Sequence, residues 1–101
     1  MLIACEDTRV SKKLDQIDSL IVRDQVDSAS VIHHSLDDVS MTEEDKAHYC
    51  LLATQLGYVT NHPLSSDSLL EMAFTYYNKV GNNHKLANAY YYKSLWSEIN
   101  N

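Results

Sequence analysis

A chain of 101 residues that is 45% hydrophobic can bury a core as one domain, which excludes a disordered protein. Its formal net charge of −6 argues against nucleic acid or an anionic membrane surface as the main partner, because both require a basic face. Two glycines and one proline are too few for the turns of a β-sandwich, so the composition predicts long helices and an all-α fold.

The first eight residues precede the regular helical pattern, and we expect residues 1–8 to form a flexible N-terminus. Within them, Leu2-Ile3-Ala4-Cys5 resembles the lipobox of bacterial lipoproteins, in which the cysteine is lipidated. The resemblance implies an exported protein anchored in the cell envelope through Cys5. A chance match implies a cytoplasmic protein instead, and the basic and apolar regions of a signal peptide do not precede the motif. We expect no other contact with a membrane.

The first two helices are predicted over residues 10–23 and 27–36. Leu14, Ile17 and Ile21 recur at helical spacing in the first, with charged residues between them. The second places apolar residues on one face in the same way. A short break separates the two segments, so they are predicted to form a helical hairpin.

The third helix is predicted over residues 43–60. Ser40 or Thr42 precedes it, and either hydroxyl can accept the free N–H groups of the first turn. Three acidic residues follow, which the positive end of the helix favours. Pro63 prevents the helix from continuing through the next loop.

The fourth and fifth helices complete the prediction. Ser66 or Asp67 caps the fourth, which runs to about Lys79. Gly81 can then take the left-handed conformation that ends a helix. The fifth helix opens directly after it and runs nearly to the C-terminus, so the sequence predicts about five helices and no strand.

A pattern of bulky residues at helical spacing recurs along the chain. It stands at Leu14-x-x-Ile17-x-x-x-Ile21, at Tyr49-x-x-Leu52-Ala53-x-x-Leu56 and, more loosely, from Tyr90. This pattern resembles the tetratricopeptide repeat, and SSDSLLEMAFTYYNKVGNNHKLANAYYYKS resembles such proteins and lipoproteins of Bacteroidetes. The resemblance implies antiparallel hairpins stacked as a short α-solenoid over residues 9–101, with Ala53 where paired helices approach. Asp18 departs from the family by standing at the small-residue position of the first unit.

In tetratricopeptide proteins the first helix of each unit lines a concave groove that holds an extended peptide or a helix of a partner. The resemblance therefore implies a non-catalytic module that binds a protein or peptide. Its groove residues are Asp15, Ser19, Cys50, Thr54, Tyr58, Asn88, Tyr91 and Leu95. The basic clamp of the chaperone-binding subclass is missing, so recognition of acidic C-termini is not expected.

The last helix carries an aromatic stripe at Tyr92, Trp96 and Ile99. Large exposed apolar stripes are unusual in monomers, so this stripe is predicted to contact either a second copy or a further helix of a longer array. Two alternatives to a binding module remain: a structural homodimer through this helix, and a sensory portion of a membrane-tethered transcription regulator.

No catalytic, cofactor or metal site is predicted. His33 and His34 are adjacent and diverge on a helix, whereas chelation by one helix needs an i, i+4 pair. His48 and Cys50 point in nearly opposite directions for the same reason. The acidic residues lie at helix ends, where electrostatics alone explains them, and two glycines cannot form a phosphate-binding loop.

Overall fold

The computed structural model describes the backbone of residues 2–62, 64 and 66–100, and the side chains of residues 9–62, 64 and 66–99. The described chain contains five helices and no strand, which confirms the all-α prediction. The helices are α1 (Leu2–Val22), α2 (Val26–Ser35), α3 (Glu43–Val59), α4 (Ser68–Val80) and α5 (Asn83–Asn100). The backbone of residues 2–8 belongs to α1, which contains no glycine or proline. The flexibility expected of residues 1–8 stays a prediction.

The helix ends follow local chemistry. Thr42 caps α3, and its hydroxyl accepts a hydrogen bond from the backbone N–H of Asp45 at 3.2 Å. Gly81 ends α4 in the left-handed conformation with φ of 74°. Asp24 and Asn61 take similar left-handed angles after α1 and α3, which these two residue types tolerate better than most. Pro63 lies outside the described residues, and α3 ends before it.

The helices pack around α3, which contacts α1, α2, α4 and α5. The close helix pairs include α1 with α2, α3 with α4, and α4 with α5. Among the described residues, no Cα of α1 or α2 lies within 8 Å of a Cα of α4 or α5, so α3 holds the two halves together.

α3 contributes to two separate hydrophobic clusters. Leu52 and Leu56 belong to the first, which is otherwise formed by α1, α2 and Leu36. Cys50 and Leu51 belong to the second, with residues of α4 and α5. Neighbouring residues of one helix thus face opposite partners, which explains why α3 is apolar around most of its circumference. No described helix is long and apolar enough to cross a membrane.

The position of Ala53 corrects the repeat register that the sequence implies. That register places Ala53 where α3 approaches α4. Ala53 instead lines a small cavity together with Ser30 and His33 of α2. The small residues that lie between α3 and α4 are Ala47, Cys50 and Ala73, all fully buried in the second cluster.

Candidate functional site

The predicted groove residues of α3 lie at different depths. Cys50 and Thr54 are buried, with 1% and 3% of their surface exposed, so they do not line an open groove. The Cys50 sulfur lies 3.7 Å from the sulfur of Met72 in α4, and burial raises the pKa of its thiol. The Thr54 hydroxyl donates to the backbone oxygen of Cys50 at 3.2 Å. Cys50 faces α4, because the small residues of this face bring the two helices together. Tyr58, one turn further along, is only half-buried.

The other predicted groove residues reach the surface at two places. Asp15 and Ser19 are exposed on α1, and no described Cα of α1 lies within 8 Å of a Cα of α5. Asn88 and Leu95 are half-buried, and Tyr91 is 60% exposed. The eight predicted residues therefore divide into a polar part on α1, a buried part on α3 and an accessible part near α5.

Tyr90, Tyr91 and Tyr92 of α5 point in three directions. The ring of Tyr90 meets the ring of Phe74 edge to face, with centroids 4.8 Å apart. The ring of Tyr92 stacks on Tyr58 at 5.5 Å, and thereby joins α5 to α3. Tyr91 packs edge to face on Tyr92 at 5.1 Å, with most of its own surface in solvent. Three successive aromatic residues are accommodated because α5 has neighbours on two sides and solvent on the third.

Tyr58, Tyr91 and Tyr92 form an aromatic cluster that joins α3 to α5. Burial raises the pKa of Tyr92, which a hydrogen bond with Gln55 partly offsets. Burial also raises the pKa of Tyr58, whose hydroxyl has no hydrogen-bond partner among the described residues. The two phenols that lie inward thus remain neutral, and the accessible edge of the cluster is Tyr91.

A row of one polar and three largely apolar side chains continues from this cluster along α5. Asn88, Tyr91, Leu95 and Ile99 follow one another at i, i+3, i+7 and i+11, so they share one face of the helix. Tyr91 and Ile99 are 60% and 57% exposed, and Leu95 is half-buried between them. We call these four residues the α5 stripe. It combines three predicted groove residues with one residue that was predicted to contact a second copy.

The predicted oligomer contact at Tyr92, Trp96 and Ile99 is thereby revised. Tyr92 and Trp96 pack against the second hydrophobic cluster, and both are half-buried within a single chain. Only Ile99 remains largely exposed. Spacing along α5 places these residues in one stripe, but it does not show that Tyr92 stacks on Tyr58 of α3.

A second group of side chains joins α1, α3 and α5. The imidazole Nε2 of His48 donates to Oδ2 of Asp18 at 2.6 Å, and joins α3 to α1. The ammonium of Lys85 in α5 lies 3.3 Å from that nitrogen and 3.7 Å from the same carboxylate oxygen. Burial raises the pKa of Asp18, but the hydrogen bond with His48 and the neighbouring positive charges outweigh it, so the net pKa is lowered. Asp15 lies beside Asp18, and we call Asp15, Asp18, His48 and Lys85 the polar cluster.

Spacing along the sequence relates His48 only to residues of its own helix, so its contacts with Asp18 and Lys85 were not predicted. These partners come from α1 and α5, which spacing along one helix cannot reveal. The available signal was Asp18 itself, a charged residue at a position where the repeat pattern requires a small one. His33 also has a tertiary partner: it stacks on Tyr49 with ring centroids 4.0 Å apart.

The side chain of Cys5 lies outside the described residues, so its lipidation and the envelope location that it implies stay predictions. Comparison with protein-family models, with curated proteins and with solved structures finds no match.

Proposed function

We propose that this protein is a non-catalytic module that binds a helical or extended segment of a partner protein along the α5 stripe. The observation that carries the proposal is the exposure of Tyr91 and Ile99, 60% and 57%, on one face of α5 next to the aromatic cluster. Apolar side chains in such a row provide the spaced anchors that an amphipathic segment needs. Tyrosine favours binding further, because its ring contributes contact area while its hydroxyl tolerates water.

The proposal includes a stacked-hairpin architecture like that of the tetratricopeptide repeat. Its support is the order of contacts: α1 packs against α2, α3 packs against α4, and α3 also contacts α1, α2 and α5. In such a stack the layer of α1, α3 and α5 forms the binding face, and the aromatic cluster lies on it. The revised position of Ala53 requires a register that differs from the one read from the sequence.

A peptide library displayed on phage tests the proposal. The wild-type chain should enrich sequences with apolar residues at helical spacing. The selected peptides should bind the Tyr91→Ala/Ile99→Ala variant at least about 10-fold more weakly, which corresponds to about 1.4 kcal/mol. A matched control is Val31→Ala, since Val31 is 69% exposed on α2, remote from the stripe. Failure to enrich any such sequence, or equal binding by the double variant, contradicts the proposal.

Self-association is the second candidate, and the same exposed residues favour it. Tyr90, Tyr91 and Ile99 present apolar surface that a second copy can cover. Analytical ultracentrifugation separates the two candidates. A monomer at the highest soluble concentration excludes the homodimer and leaves the peptide-binding proposal standing, whereas a dimer that Tyr91→Ala dissociates supports self-association.

A further inference from the structure

The polar cluster contains three metal-ligating side chains on two helices. Asp15 and Asp18 are three residues apart on α1, so their carboxylates project from the same face. His48 of α3 faces them, and one ligand atom from each of the three residues lies within 4.8 Å of the others. The His48 side chain is 12% exposed and the Asp18 side chain 39% exposed, so the pair is partly shielded from water.

This donor set suits a divalent transition-metal ion. An imidazole nitrogen with two carboxylate oxygens is a combination that zinc accepts, whereas calcium and magnesium prefer oxygen donors alone. Tetrahedral zinc at about 2.1 Å from each donor needs the donor atoms about 3.4 Å apart. Nε2 of His48 and Oδ2 of Asp18 lie 2.6 Å apart, so these two donors must separate by about 0.8 Å to hold the ion. Asp15 is exposed, so rotation of its side chain can bring the third donor closer.

Lys85 already supplies a positive charge at this position. Its ammonium lies 3.3 Å from Nε2 of His48 and 3.7 Å from Oδ2 of Asp18, the two atoms that a metal ion would use. The Lys85 side chain is 24% exposed, and its flexible stem can turn towards solvent. The Lys85 ammonium therefore competes with a metal ion for this position, and the ion must displace it to bind.

We propose that Asp15, Asp18 and His48 form a zinc site that ties α1 to α3, with Lys85 as the cation that occupies the position when zinc is absent. On binding, Nε2 of His48 coordinates the ion, and its proton moves to Nδ1. The two carboxylates and the imidazole come from different helices, so occupancy stabilises the packing of α1 on α3. The site is separate from the α5 stripe, and its existence does not depend on the binding function proposed for that stripe.

Calorimetric titration of the full chain with zinc chloride tests the site. We expect one equivalent to bind, and cobalt(II) to give the visible absorption of a low-coordinate site. His48→Gln and Asp18→Asn should each weaken zinc binding at least about 10-fold. Lys85→Met should tighten it several-fold, because a like charge at the site is removed. The matched control is His84→Gln, since His84 is an exposed histidine outside the cluster.

The results that overturn the proposal are equally direct. A wild-type chain that binds no zinc at one equivalent, or binding that persists in His48→Gln, excludes the site. Zinc affinity that stays unchanged in Lys85→Met excludes the competitor role of Lys85. If His48→Gln fails to fold by circular dichroism, Asp15→Asn keeps the test open, since Asp15 is exposed and makes no core contact. Unchanged zinc affinity in Asp15→Asn then excludes the three-residue site.

Discussion

The rings of Tyr58 and Tyr92 stack with centroids 5.5 Å apart and an angle of 29° between their planes. The two residues belong to α3 and α5, so this contact fixes the last helix against the central one. The same contact decides which face of α5 remains in solvent. Tyr91 is the third member of the cluster and packs on Tyr92. Of the three tyrosines, only Tyr91 is mainly exposed.

Replacement of Tyr92 should therefore cost much more stability than replacement of Tyr91. Tyr92→Ala removes a ring that packs on the second hydrophobic cluster and on Tyr58, and we expect a loss of about 3 kcal/mol in the free energy of unfolding. Tyr91→Ala should cost about 0.5–1 kcal/mol, because its ring makes one aromatic contact and is otherwise in water. Urea denaturation of both variants measures the difference. Similar losses for the two variants would show that Tyr91 is a packing residue and not an accessible anchor.

Cys50 should be protected from thiol reagents in the folded protein. It is 1% exposed, and burial raises the pKa of its thiol, so little thiolate is present and reagents cannot reach it. In a Cys5→Ser variant, which leaves Cys50 as the remaining cysteine, reaction with a disulfide reagent should require urea. Rapid reaction in buffer would place Cys50 on an accessible groove, as the sequence pattern implies, and would contradict its contact with Met72.

Thr42 should contribute more to stability than Ser40, although the sequence offers both as caps of α3. The Thr42 hydroxyl accepts from the N–H of Asp45, so Thr42→Ala should lower the free energy of unfolding by about 1 kcal/mol. Ser40 stands outside the helix and is exposed, so Ser40→Ala should change it by less than about 0.5 kcal/mol. Thermal or urea denaturation of the pair gives the comparison. Equal losses would indicate that the cap lies elsewhere.

Particular residues show how much of the fold and of the candidate site can be predicted from the sequence. Helical spacing, the acidic turn after Thr42 and the left-handed glycine at position 81 are local signals, and they were sufficient for five helices near their correct positions. The depth of Cys50 and Thr54 depends on how closely α4 approaches α3, which spacing within α3 does not encode. The contacts of His48 with Asp18 and Lys85 join three helices, so they follow only from the tertiary arrangement.

His33 should make stability depend on pH. Burial lowers its pKa below the ordinary value of 6.5, and the hydrogen bond that its Nε2 donates to the Tyr49 carbonyl at 3.0 Å only partly opposes this. The unfolded chain therefore takes up the proton first as the pH falls. The stability contributed by neutral His33 is complete above pH 6.5 and decreases as the pH falls from there through the folded-state pKa.

An NMR titration of the imidazole signals measures this directly. We expect the His33 midpoint below 6.5, and a smaller loss of stability at acid pH in His33→Gln than in the wild type. A midpoint at or above 6.5 would mean that the stacking of His33 on Tyr49 does not shield the ring from water.

The most direct test of the binding surface is NMR mapping with a peptide selected by the wild-type chain. The account predicts that amide shifts change along α5 at Asn88, Tyr91, Leu95 and Ile99 and at Tyr58 of α3, while the exposed residues of α2 around Val31 stay unchanged. Shift changes centred on α2, with the α5 stripe unaffected, would contradict it.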